Sequence, residues 1–231
     1  DMQDDERREA KKAVKDAADK AKEAIDNATT DADVTSAKDN GLAKVGEPHK
    51  ATVKQRAKDD IDAKAKAKKD AIDGDNQLTN EEKKAAKDKV DAEAGKAKQA
   101  VDAATTNDGV TKAQNDAATN INNVDTTPHS KPNAKAEIDA KVEEANKAID
   151  QNKDMTDDER REAKKAVKDA ADKAKEAIDN ATTDADVTSA KDNGLAKVGE
   201  PHKATVKQRA KDDIDAKAKA KKDAIDGDNQ L

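Results

Sequence analysis

Apolar residues recur along this chain at spacings of three and four, and nowhere alternate with a period of two over a useful length. Ala10, Val14, Ala18, Ala21, Ile25 and Ala28 form one stripe, with Lys12 and Asp16, and Lys15 and Asp19, four residues apart outside it. This is the pattern of an amphipathic helix carrying opposite charges on its outer face. Its start is marked by Thr79-Asn80-Glu81-Glu82 and Thr156-Asp157-Asp158-Glu159. In such a capping box the Thr hydroxyl accepts the amide of the third helical residue and the Glu there reaches back to the cap. Gln3 interrupts that box at the first occurrence. A shorter second helix is predicted through Val34, Ala37, Gly41 and Val45, introduced by Thr30-Asp31 and stopped by Gly46 and Pro48. Asn40-Gly41 makes it the weakest element. A third carries Val53, Ala57, Ile61, Ala65 and Ile72 and ends at Gly74, suited to a left-handed cap.

The pattern repeats. Residues 154–231 reproduce residues 1–78 at an offset of 153, with Gln3 against Thr156 as the one difference. Between them lies a diverged copy: Val14 corresponds to Val90, Ile25 to Val101, Val34 to Val110 and Val45 to Ile121, all 76 residues on. Ile61 then corresponds to Ile138, Ala65 to Val142 and Ile72 to Ile149, all 77 on. One residue has thus been inserted between Val45 and Ile61, where Pro48, Pro128 and Pro132 mark a loop. Inside a helix such a slip would turn the apolar face by about 100°. Met2, Leu78 and Met155 are equivalent, so the copies are drawn as 1–77, 78–154 and 155–231, each a three-helix bundle, with Leu231 opening a fourth. Leu78 and Met155 are the large apolar residues of the joins, placed to staple the next helix or to plug a seam between neighbours.

The expected fold is all-α: tandem three-helix bundles arranged end to end as an elongated rod. An odd number of antiparallel helices brings the chain in at one end and out at the other. Helices of about 25 residues give each copy roughly 35–45 Å, and three copies a length on the order of 100 Å.

Composition narrows the function. The chain has 231 residues, 42% of them charged, no aromatic residue and no Cys, and most of its 33% hydrophobic content is alanine. Such a chain cannot build the broad aromatic-anchored core of an ordinary enzyme. Its 46 basic and 52 acidic residues leave a formal charge of -6, which weakens self-repulsion and argues against nucleic acid as a partner. No apolar stretch is long enough to insert in a membrane.

No residue pattern in the chain reads as catalytic, cofactor-binding or metal-ligating. His49, His129 and His202 each follow a proline in a loop, and end-to-end stacking would hold them a whole copy apart. Asp73-Gly74-Asp75-Asn76 lacks the glycine and glutamate positions of a calcium loop. Ser36, Ser130 and Ser189 have no histidine at helical spacing. Lys64, Lys66, Lys68 and Lys69 form the most basic patch, with Asp59, Asp60 and Asp70 close by and no aromatic residue to stack a base.

At these same residues the chain resembles a family. Leu78-Thr79-x-Glu81-Glu82-Lys83, the run Ala24–Thr30, Asp33-Val34, and Ala37-Lys38 before Gly41 are similar to the roughly 77-residue helical repeat of Gram-positive cell-wall-anchored surface proteins. That family has no established activity. The resemblance covers all three copies; Gly109 and Thr126-Thr127-Pro128 are departures. It implies a secreted chain held at the cell wall, extracellular, with the repeats as a non-enzymatic stalk projecting an N-terminal binding region of an adhesin. It implies neighbouring repeats as partners, with a host matrix or serum protein bound by other regions. Two rival readings are a multivalent binding module for host proteins or for cell aggregation, and a hydrophilic desiccation protein disordered until dried. Near-identical copies and the missing aromatic hot spots favour the stalk.

Overall fold

The structure, a computed structural model, describes residues 2–228; Leu231 lies outside the described residues. Among them are nine helices and no strand: α1 (Asp4–Asp26), α2 (Asp31–Val45), α3 (Val53–Asp73), α4 (Asn80–Ala103), α5 (Asn107–Asn122), α6 (Ser130–Gln151), α7 (Asp157–Asn180), α8 (Asp184–Val198) and α9 (Val206–Asp226). The all-α class and three helices per copy are as the spacing predicts. Thr30, Thr106 and Thr183 start the second helices by accepting the amides of Asp33, Gly109 and Asp186 at 3.2, 3.1 and 3.1 Å. The inserted residue is taken up at the end of α5, which has 16 residues against 15 in α2.

Gly74 departs from the expected left-handed cap. Its φ is -76°, in the right-handed region, and its N–H returns to the Asp70 and Ile72 carbonyls. The chain reverses one residue later, where Asp75 Oδ1 accepts the Gln77 amide at 2.8 Å. An aspartate side chain can close such a turn without positive φ.

The contacts divide the chain into two units. The first holds residues up to Gly74 together with Lys84–Asp125, the second Asp75–Lys83 together with the chain from Thr126. In the second unit α6, α7 and α8 pack on one another. They share a core of Ile138, Ile149, Met155, Val167, Ile178, Val187 and Val198, with alanines between. In the first unit α3 packs on α5 and is ion-paired to α4. Ile61 and Ile72, Val90 and Val101, and Val110 and Ile121 are all buried there.

The packed groups are therefore α3 with α4 and α5, and α6 with α7 and α8. The period of the repeat is carried by the sequence. α3 and α4 present opposite charges to each other at successive heights. α1 packs on α2, and Val14 and Ile25 stay half-buried. Their counterparts Val167 and Ile178, on which α6 packs, are buried.

Gly194 shows how close the helices come. A Cβ there would lie 2.5 Å from Ala174 Cβ and 2.9 Å from Ile138 Cδ1, so this glycine allows α6, α7 and α8 to meet. Added bulk in a packed core costs about 1–3 kcal/mol, whereas alanine recovers about 1 kcal/mol of helix propensity. Gly194→Ala should thus lower stability by about 1 kcal/mol and Gly194→Val by about 2–3 kcal/mol, measured by urea denaturation.

Candidate functional site

The feature common to all three copies is a glutamate at the third position of the first helix, whose two oxygens serve different helices. In α4, Glu82 Oε2 accepts the Thr79 amide at 3.0 Å, while Oε1 accepts the amides of His129 and Ser130, at the start of α6, at 2.7 and 2.9 Å. In α7, Glu159 Oε2 accepts from Thr156 at 2.9 Å and Oε1 from Thr205 and Val206, at the start of α9, at 2.8 and 3.0 Å. In α1, Glu6 Oε2 accepts from Gln3 at 3.3 Å and Oε1 from Thr52 and Val53, opening α3, at 2.9 and 3.0 Å. Each carboxylate caps its own helix and neutralises the orphan donors of another. The backbone donors of Thr156, Thr205 and Val206 lower the Glu159 pKa from 4.5 to about 2. Burial opposes ionisation of Glu82 and Glu6, yet their three backbone donors outweigh it and hold both carboxyls below their ordinary value.

Neighbouring residues extend the seam. Glu81 Oε2 accepts the Asp184 amide at 3.0 Å, and the Asn80 amide donates to the Thr182 carbonyl at 2.8 Å. The first unit repeats both: Asp5 Oδ2 accepts the Asn107 amide, and the Asp4 amide donates to the Thr105 carbonyl, each at 2.8 Å. Lys131, though buried, donates to the Asn76 and Asp179 carbonyls at 2.8 and 2.7 Å. Its equivalent Lys54 reaches the Asp102 carbonyl, and its equivalent Lys207 the Lys153 carbonyl, both at 2.7 Å. Along the helices run matching ion pairs. Lys58–Asp102, Asp62–Lys98 and Asp73–Lys87 join α3 to α4; Lys135–Asp179, Asp139–Lys175 and Asp150–Lys164 join α6 to α7.

The residues singled out for chemistry are scattered. His129 is the N-cap of α6, the place that Thr52 and Thr205 take before α3 and α9, so it is not the counterpart of His49 and His202. His202 lines a depression with Met155, Glu144 and Glu200. Among the described residues, no three His, Asp or Glu side chains are grouped to hold a metal ion. Asp73 pairs with Lys87 and Asp75 closes its own turn. Ser130 Oγ donates to Asp184 at 2.6 Å. The basic run is neutralised in place: Lys64 by Asp60, Lys66 by Asp70 and Lys69 by Asp91, while Lys68 donates to the Asn122 carbonyl. Met155 joins the α6–α8 core, and Leu78, 4% exposed, lies beside Ala181 and Thr182 at the α7–α8 turn.

Shallow alanine grooves run along α1 with α2, over Ala13, Ala17, Ala21 and Gly41, and along α7 with α8, over Ala166, Ala170, Ala174 and Gly194. In the middle copy Lys89 and Glu93 stand at the first two of these positions. Residue type alone gives no sign that Glu82 holds two helices. Its constancy does: Glu6, Glu82 and Glu159 agree where Gln3, Thr79 and Thr156 do not.

These features define a tandem helical-repeat protein in which one polar seam recurs within each unit. The chain belongs to the family described as Domain of Unknown Function (DUF1542), which matches it three times, at residues 1–52, 53–129 and 130–205. The internal limits of those matches fall at the starts of α3 and α6. Among curated proteins the chain is similar to extracellular matrix-binding protein EbhA of Staphylococcus aureus (strain Newman), 28% identical over 177 residues, which is 76% of this chain and 5% of that protein. It is similar also to extracellular matrix-binding protein ebh of Staphylococcus aureus (strain NCTC 8325 / PS 47), 28% identical over the same length and covering 2% of it. The chain thus spans a small fraction of the relatives it matches. No solved structure matches it.

Two outcomes are expected at the seam. The folded-state pKa of Glu159 lies below its ordinary value, so its contribution is complete above about pH 4.5 and fades as pH falls toward about 2. The thermal midpoint followed by circular dichroism should drop across that window, and less steeply in a variant with Glu6, Glu82 and Glu159 all changed to Gln. At neutral pH Glu82→Gln should cost about 2 kcal/mol, the scale of a lost cap with charged hydrogen bonds. Separately, the side-chain amide of Gln3 is buried without a hydrogen-bond partner. Gln3→Thr, restoring the cap of the other copies, should raise stability by about 1 kcal/mol in the same denaturation measurement.

Proposed function

We propose that these repeats are non-enzymatic spacers of a bacterial cell-surface adhesin, an extracellular, wall-anchored stalk that holds an N-terminal binding region away from the cell. Each packed group of three helices is the module, and copy number sets the reach. The observation that carries this reading is the recurrence of one seam: the same carboxylate, carbonyl and amide contacts seat a helix start within each unit. A chain built this way lengthens by duplication without disturbing any site. The names of the staphylococcal relatives, which describe extracellular matrix binding rather than a reaction, support a non-catalytic role.

A second reading has its own support. The alanine grooves recur in the first and third copies, and the relatives are named for binding extracellular matrix. Repeated weak contacts would then add through avidity.

Small-angle scattering of chains with two, three and four copies separates the readings. A spacer requires the maximum dimension to grow by about 35–45 Å per copy, and constant size would sink it. Saturable binding of immobilised host matrix protein by this chain would favour the second.

A further inference from the structure

Peroxide has few side chains to attack in this protein. The chain holds no Cys and no Trp, and its sulfur atoms are those of Met2 and Met155. Met155 is 2% exposed and belongs to the α6–α8 core with Ile149 and Val167. Leu78 takes the same place one copy earlier and is 4% exposed, so the position asks for an apolar side chain of this size and not for sulfur. From this we infer that Met155 is an oxidation site, at which conversion to the sulfoxide loosens the α6–α8 group.

A depression of 310 Å³ beside Met155 separates it from an inert core residue; its lining includes Lys141, Ala145, Asn152, Gly199 and His202. The cause of the depression lies in the sequence. One copy earlier Lys68 stands where α6 has Ala145, and its amine donates at 3.1 Å to the carbonyl of Asn122, the counterpart of Gly199. Ala145 leaves that space open, and peroxide can enter next to the thioether. The sulfur lone pair attacks one peroxide oxygen, the O–O bond breaks, an S–O bond forms, and the other oxygen leaves with both protons as water. Sulfur is oxidised by two electrons and the peroxide is reduced. The product carries a strong acceptor that Ile149 and Val167 cannot answer. Donors and water lie on the side of the depression, where Lys141, Asn152 and His202 stand. The sulfoxide is drawn that way and leaves behind a volume that its neighbours fill only in part. This is independent of the spacer reading, because it concerns the inside of one helix group.

The test is to treat the 231-residue chain with dilute hydrogen peroxide at neutral pH. Mass spectrometry of tryptic peptides locates the methionine that gains oxygen, and amide exchange is followed in α6, whose sequence occurs once in the chain. Met155 should be oxidised without denaturant, and exchange of the α6 amides should then speed by about tenfold or more. Met155→Leu should keep exchange slow and abolish the response to peroxide, while Met2→Leu should leave that response intact. Met155→Gln, a polar side chain of similar length, should give fast exchange with no oxidant present. A Met155 that reacts only once urea is added, oxidation that leaves α6 exchange unchanged, or an equal response in Met155→Leu overturns the assignment.

Discussion

A carboxylate that must satisfy two helix starts at once constrains this fold more than its apolar core does. Glu82 cannot reach the Thr79 amide and the His129 and Ser130 amides unless the starts of α4 and α6 lie side by side. Four orphan amides open each helix, and an ionised acceptor is the strongest single group that can answer them. With the starts fixed, the lengths of the helices bring the opposite charges of their flanks into register. The core then needs only small residues: alanine and glycine let backbones approach, as Gly194 does beside Ala174, and a few Val and Ile fill what remains.

This division of labour suits a chain with 42% charged residues and no aromatic side chain. Single exposed ion pairs contribute little, and most of those on the outer helix faces, such as Lys12–Asp16, are of that kind. The inter-helical pairs differ in what they do. Lys135–Asp179 and Lys175–Asp139 join different helices, so a shift of one turn would separate them and set like charges together. Their role is to choose the register more than to add stability, which matters where alanine stripes alone would slide.

Much of this was legible in the sequence. Val34, Val110 and Val187, recurring in one frame, gave α2, α5 and α8 their places, and the Thr-x-x-Glu boxes marked the starts of α4 and α7. Other parts depend on contacts between residues far apart along the chain. Gly41 reads as a weak point in a helix because its partner, Ala21, lies twenty positions earlier on another helix. Glu82 reads as an ordinary cap because its second set of donors is 47 and 48 residues away. The diverged copy still points to these places: Lys54, Lys131 and Lys207 persist where much around them has changed.

The connections between second and third helices carry a consequence for cleavage. The loop Gly46-Glu47-Pro48-His49-Lys50-Ala51-Thr52, exposed as far as Lys50, and its counterpart before α9 contain Lys50 and Lys203, whereas the corresponding stretch Asn123–His129 contains neither lysine nor arginine. Among these three connections a trypsin-like protease would therefore find cleavable bonds after Lys50 and Lys203 and none in the middle one. A nick after Lys50 leaves Thr52 and Val53 still hydrogen-bonded to Glu6, so the severed pieces would stay together until acid or denaturant released them.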